Sequence, residues 1–170
     1  MDQLQLLEDA FDRVAQTVHA TLDGLPRDAL TYHVDPDANT IAWLTWHLTR
    51  VQDDHVADAA GDDQIWVTDG WADRFSLPFP LSDIGFGHSS YDVGQVDVAP
   101  DLLLGYHDAV HSRTVAYLRT LSGDDLDRVV DTSWDPPVTL GVRLVSVVSD
   151  DLQHAGQAAF VAGIGQRTRA

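Results

Sequence analysis

A helical period interrupted by reactive side chains constrains this chain more than any other feature. In the stretch from Val147 to Val161, residues Val147, Asp150, His154, Gln157 and Val161 recur at intervals of three and four, which lays them along one stripe of a 3.6-residue helix. The stripe begins and ends apolar and turns polar in the middle. An amphipathic helix keeps polar residues for water, so an acid and a histidine one turn apart on a valine stripe require a reason. Asp150 and His154 stand at i and i+4, where two side chains can grip one divalent cation as the histidines of H-x-x-x-H do. The same spacing also fits a local hydrogen-bonded or exposed pair, and spacing alone does not choose between them.

Three further segments carry the helical period. Leu4, Leu7, Phe11, Val14, Val18 and Leu22 make the seam of a first helix that closes near Gly24-Leu25-Pro26. After the turn-forming Asp35-Pro36-Asp37, Asn39 or Thr40 can cap a second helix running to about Ala60. Its inner stripe reads Thr40, Leu44, His47, Val51, Asp54, with Trp43 and Trp46 flanking the histidine. Pro100 suits the first turn of a third helix through Leu103, Tyr106, Val110, Tyr117 and Leu121, ended by Ser122-Gly123. This helix has its own i, i+4 pair, His107 and His111, but both lie beside its apolar line and are expected to face solvent. Residues 124–139, with Trp134 and Pro136-Pro137, read as a loop. The fourth helix runs from about Leu140 to Gly163, and 164–170 read as a frayed tail.

No alternating strand pattern, internal repeat or phosphate-cradling glycine loop appears. The expectation is an all-α single domain over 1–170, a four-helix bundle. Residues 61–99 interrupt it with Trp66, Trp71, Phe75, Phe79, Phe86 and Tyr91 set among glycines and prolines. So long a connection is either an ordered flap packed over something or a set of rings closing one end of the bundle.

A chain of 170 residues buries roughly 70% of its unfolded surface. It has no cysteine, so a metal must take nitrogen and oxygen ligands, and any thiol chemistry must use a thiol brought in. The net charge is −17, without a single lysine. Such a field repels phosphate backbones, which excludes nucleic acid and anionic membranes as expected partners. No basic n-region or apolar h-region follows Met1, and no apolar run is long enough to cross a bilayer, so a soluble cytoplasmic protein is expected.

The residues W43-L-T-W-H47-L, G70-W-A-D-R-F and D150-D-L-Q-H154-A-G-Q157 resemble the DinB/YfiT-like family, most closely its mycothiol and bacillithiol S-transferase-like branch. That resemblance covers nearly the whole chain in the order of its elements. It implies a four-helix fold with a long connection between helices two and three, and a divalent metal, zinc above all with nickel as the other choice. Motif by motif, the implied ligands are His47, Asp150 and His154. Many relatives carry histidine where Asp150 stands; an acid there resembles the isomerase branch, which uses glutamate. Two histidines and one carboxylate remain a sound zinc set.

Three protein ligands leave a coordination position open, the arrangement of catalytic rather than structural sites. The implied activity is S-transfer from a low-molecular-weight thiol of the mycothiol type to a small electrophile. The rival readings are a hydrolase with an activated water and a ligand-binding bundle without metal, and a homodimer is compatible with each. Arg50, one turn after His47, and Arg143, seven residues before Asp150, can each meet a carboxylate on the cosubstrate or pair with a nearby aspartate. Gln157, one turn after His154, can orient that ligand or touch the cosubstrate.

Overall fold

Each long periodic segment forms a helix, and local chemistry sets its ends. The computed structural model describes residues 1–169. Helix α1 (Gln3–Leu22) starts where the Asp2 carboxylate accepts from the Gln5 amide and the Gln5 side chain accepts from the Asp2 amide, a reciprocal cap. It buries Phe11, Val14, Val18 and Leu22. A single turn, α2 (Arg27–Leu30), leads to α3 (Ile41–Ala60), where the Thr40 hydroxyl accepts from the Trp43 amide at 3.1 Å. Gly61, at φ 73°, closes α3 in the left-handed conformation that ends so many helices.

Three short helices follow in the connection: α4 (Ile65–Thr68), α5 (Trp71–Phe75) and α6 (Ser90–Gly94). Then come α7 (Pro100–Leu118) and the 30-residue α8 (Leu140–Arg169), roughly 45 Å long at 1.5 Å per residue. Helices α1 and α3 each pack against both α7 and α8. The protein is therefore all-α in class, and among the described residues no helix is long and apolar enough to cross a membrane.

Three expectations from the sequence need correction. Helix α8 continues well past Gly163, because Ala162 and Gly165 extend its buried side; of the expected frayed tail only Ala170 lies outside the described residues. Between α7 and α8 stand a 3₁₀ turn (Gly123–Asp127) and an antiparallel pair, β1 (Val129–Asp131) and β2 (Val138–Thr139). Strands this short cannot show alternation. Finally, His107 does not face solvent. The inner side of α7 is Leu103, Tyr106, His107, Val110, Thr114 and Leu118, and His107 is 0% exposed.

The long connection is an ordered cover tied to α3 at two points. The buried Asp53 carboxylate accepts from the amides of Ile65 and Trp66 at 3.2 and 2.9 Å and from the Tyr106 hydroxyl at 2.8 Å. One turn earlier, the fully buried Arg50 donates to the carbonyls of Asp83 and Leu81 and to the Tyr106 hydroxyl. Trp66 and Phe75 pack around Tyr106, and Phe79 lies on Trp46. A buried arginine left unpaired would cost several kcal/mol, roughly 3–5 for a broken buried pair, so these partners lock the cover to the helix.

Candidate metal centre

The seam between α3 and α8 brings together the three side chains singled out from the sequence. His47, Asp150 and His154 each offer a ligand atom, and these atoms lie within 4.8 Å of one another. The two imidazole centroids are 4.8 Å apart and nearly perpendicular. His47 Nδ1 donates to the Ile84 carbonyl, which can only accept, so the proton sits on Nδ1 and the Nε2 lone pair is free. His154 Nδ1 meets the Gln157 side-chain oxygen at 2.9 Å, which leaves its Nε2 turned toward Asp150. That Nε2 stands 3.6 Å from Asp150 Oδ1, an ion-pair contact longer than a good hydrogen bond.

The carboxylate carries the most informative atom of the group. Asp150 Oδ2 is buried and has no hydrogen-bond partner. An unsatisfied buried acceptor costs about 1–3 kcal/mol, and native structures keep few of them. Two imidazoles and a carboxylate with a spare oxygen fit a borderline-soft divalent cation such as zinc.

Protonation agrees with that donor set at two of the three positions. Burial pushes the His47 imidazole below its ordinary pKa, so it is neutral at pH 7. Burial pushes Asp150 up, but the neighbouring imidazoles of His154, His47 and His55 outweigh it and hold the carboxyl below the usual range. The hydrogen-bonding influence of Asp150 raises His154, so a cation there has to displace a proton.

One edge of the site is built by the segment Asp83–His88, part of the aromatic connection expected from the sequence to wall the site, though its turn was not singled out there. Asp83 accepts from the Gly85 amide at 2.7 Å, a tight turn that points the Ile84 carbonyl at His47. Gly85 has φ +95°, and a Cβ there would stand 2.8 Å from His47 Nδ1, 3.0 Å from Trp46 and 3.1 Å from Trp43. Only glycine meets both demands. His88 accepts at Nδ1 from the Trp43 indole (3.0 Å) and turns Nε2 toward Asp83 (3.1 Å). Trp43 in turn stacks on His47 with centroids 4.6 Å apart. The imidazole of His47 is thereby fixed on its face by Trp43 and at its edge by Ile84.

The remaining expected contacts are dispersed. Arg50 is not brought to the donors; it is the buried tie for the cover. Arg143 lies in the first turn of α8, ahead of the donors, donating to Asp131 of β1 at 2.7 Å and standing 3.3 Å from His55 Nδ1. Gln157 touches His154 directly. Beside the donors is a cavity of about 150 Å³ reached by His47, Asp150, His55, Ser146, Ile84 and Phe86. Of the aromatic rings in the connection, Phe86 reaches this cavity, while Trp66 and Phe75 belong to the core. A D-x-G turn two residues before a second glycine was the visible signal for this segment; the carbonyl that does the work carries no side-chain label.

Fold and donors together define a class: an all-α protein with two imidazoles and one carboxylate gathered between its long helices under a glycine-containing cover. The family model described as mycothiol-S-transferase matches residues 6–162, and the chain belongs to that family, which is of the DinB/YfiT-like kind. Among solved structures the chain is similar to a conserved protein of Enterococcus faecalis, with 30% sequence identity and a TM-score of 0.89 over 95% of this chain and 96% of the other. Comparison with curated proteins gives no match.

Proposed function

We propose that this protein is a metal-dependent transferase that moves a low-molecular-weight thiol of the mycothiol type onto a small electrophile, with His47, Asp150 and His154 holding the ion. The observation that carries the reading is the convergence of three donors whose competing hydrogen bonds have been cleared away: His47 through Ile84, His154 through Gln157, and Asp150 through the unpartnered Oδ2. Membership of the mycothiol-S-transferase family supplies the thiol. The four long helices, each touching two others, support the bundle reading of the fold.

A divalent ion in this place supplies positive charge that lowers the proton affinity of a thiol beside it, which makes thiolate available at neutral pH. The chain's own residues do the rest. Ile84 and Gln157 hold the two imidazoles in the ligating tautomer, Trp43 fixes the His47 ring plane, and Asp150 contributes negative charge that offsets part of the ion's. The apolar atoms of Val51 and Val147 border the cavity and limit water at the reacting sulfur. Arg143 stays a candidate contact for a polar group of the thiol, held in place by Asp131.

Protein purified without a histidine tag should carry close to one divalent ion per chain and bind mycothiol saturably, with binding lost on chelation. Elemental analysis and calorimetric titration test this. Thiol binding that persists unchanged in chelated protein would sink the reading.

A further inference from the structure

The cavity beside the donors has a mixed lining that the thiol alone does not explain. His55 and Val51 come from α3, Ser146 and Val147 from α8, and Ile84 and Phe86, both apolar, from the cover. Phe86 is 92% exposed. Its backbone is nevertheless set between Gly85 at φ +95° and Gly87 at φ +76°, and Gly85 is pressed against His47. The segment is anchored further by His88, hydrogen-bonded to Trp43 and Asp83. A large apolar residue thus stands on an anchored segment beside the donor group while its surface faces water.

Volume sharpens the point. About 150 Å³ is the scale of a cavity that takes a benzene ring, whereas drug-sized ligands occupy roughly 300–1,000 Å³. A cavity of that size takes a reacting end and leaves the rest of a substrate outside it. The polar groups of His55 and Ser146 suit a hydroxyl-rich or amide-rich body, and the apolar Ile84 and Phe86 of the cover do not. We infer that Phe86 is the specificity-determining contact for the electrophile, and that the electrophile is a small uncharged molecule whose apolar, aromatic or alkyl body lies on Phe86 and Ile84.

This inference rests on the S-transfer reading for the identity of the reaction. The reaction is a substitution: the thiol loses its proton to solvent, its sulfur pair forms the new C–S bond, and the leaving group departs with the electron pair of the broken bond. Two electrophiles with one warhead separate the body from the chemistry. Iodoacetamide and N-benzyl iodoacetamide both alkylate mycothiol with loss of iodide to solvent and differ only in the benzyl group.

With metal-loaded protein, Phe86→Ala is expected to lower kcat/KM for N-benzyl iodoacetamide roughly tenfold, mainly through KM, the size of a lost aromatic pair with its buried area. The rate with iodoacetamide should stay within about twofold, and Phe86→Leu should restore part of the loss. A readout free of turnover is the binding of unreactive N-benzylacetamide by ligand-observed NMR, which should weaken by a similar factor in Phe86→Ala while metal content and mycothiol affinity stay unchanged. Equal effects on both electrophiles, or none on either, would overturn the inference and leave the thiol reading standing. A wild-type protein that binds N-benzylacetamide through Phe86 but neither binds nor transfers mycothiol would remove the S-transfer reading and keep the apolar subsite. A Phe86→Ala protein with altered oligomeric mass and unaltered N-benzylacetamide binding would place the ring between copies of the chain and overturn the inference.

Discussion

Two seams of this molecule carry a histidine-containing pair at i and i+4, and they have opposite fates. In the α3–α8 seam, Asp150 and His154 meet a third donor, His47, from the facing helix. In the α1–α7 seam, His107 and His111 lie 6.3 Å apart with parallel rings. His111 Nε2 is taken by Asp12 of α1 at 3.0 Å, Asp108 by His19 at 2.6 Å, and neither nitrogen of the buried His107 has a partner. Among the described residues only the first seam gathers three donors. Spacing within one helix supplies two side chains; a site further needs a facing helix that supplies the third, and neighbours that consume the wrong lone pairs and leave the right ones.

Exchange of ligands is the strongest way to break this comparison. His154→Ala should abolish stoichiometric metal, beyond the 10–100-fold loss that indirect contacts commonly cost, whereas His111→Ala should keep metal near the wild-type content. Elemental analysis reads both, with circular dichroism to show that each variant folds. The reverse pattern would move the chemistry to α7.

Acid titration sharpens the contrast from the other side. Burial lowers the His107 pKa to about 4, against about 6.5 in the unfolded chain. The folded state then binds fewer protons, so this contribution to stability is full above pH 6.5, falls as pH drops through the window, and levels off near pH 4. Its size is about 3 kcal/mol. Denaturant unfolding at pH 7 and pH 4.5 should show a smaller acid loss for His107→Leu than for wild type.

A third change acts through the cover. Gly85→Ala introduces a Cβ at 2.8 Å from His47 Nδ1 at a positive φ, and should cost about 1–3 kcal/mol in stability while weakening metal binding in a chelator competition. The smallest expected effect is that of Gln157→Ala, which frees the His154 ring. It should reduce metal affinity by about tenfold, the lower end for a residue that orients a ligand, and leave the melting temperature of the chelated protein nearly unchanged.

The sequence made the long helices readable because Phe11, Val14, Val18 and Leu22 keep one period, and because Asp2, Thr40 and Pro100 mark helix starts with their own chemistry. It also drew attention to His47 and to the Asp150–His154 pair, since each interrupts an apolar stripe, but only the family resemblance joined the three into one ligand set. The orientation of His107 was misjudged for a physical reason: a line through Leu103, Val110 and Tyr117 is narrower than the buried side of a helix wedged between two neighbours. Arg50 looked like a ligand contact because a charge one turn from His47 invites that reading. Its burial depends on the Leu81 and Asp83 carbonyls, which come from 31 and 33 residues away and leave no trace in composition.

The two ties on α3 have a consequence for how this protein can change over time. Asp53 and Arg50, one turn apart, hold both ends of the stretch from Ile65 to Asp83, and Gly85 and His88 seat the next few residues on Trp43 and His47. Mutational drift is penalised at those anchor points, since each loss leaves a buried charge or carbonyl stranded. It is nearly free at Phe86, which touches little of its own protein. On the proposed S-transfer reading, such a division between a constrained frame and a permissive tip lets descendants of one ancestral chain trade one electrophile for another by substituting a single residue beside the cavity, while inheriting the three donors intact.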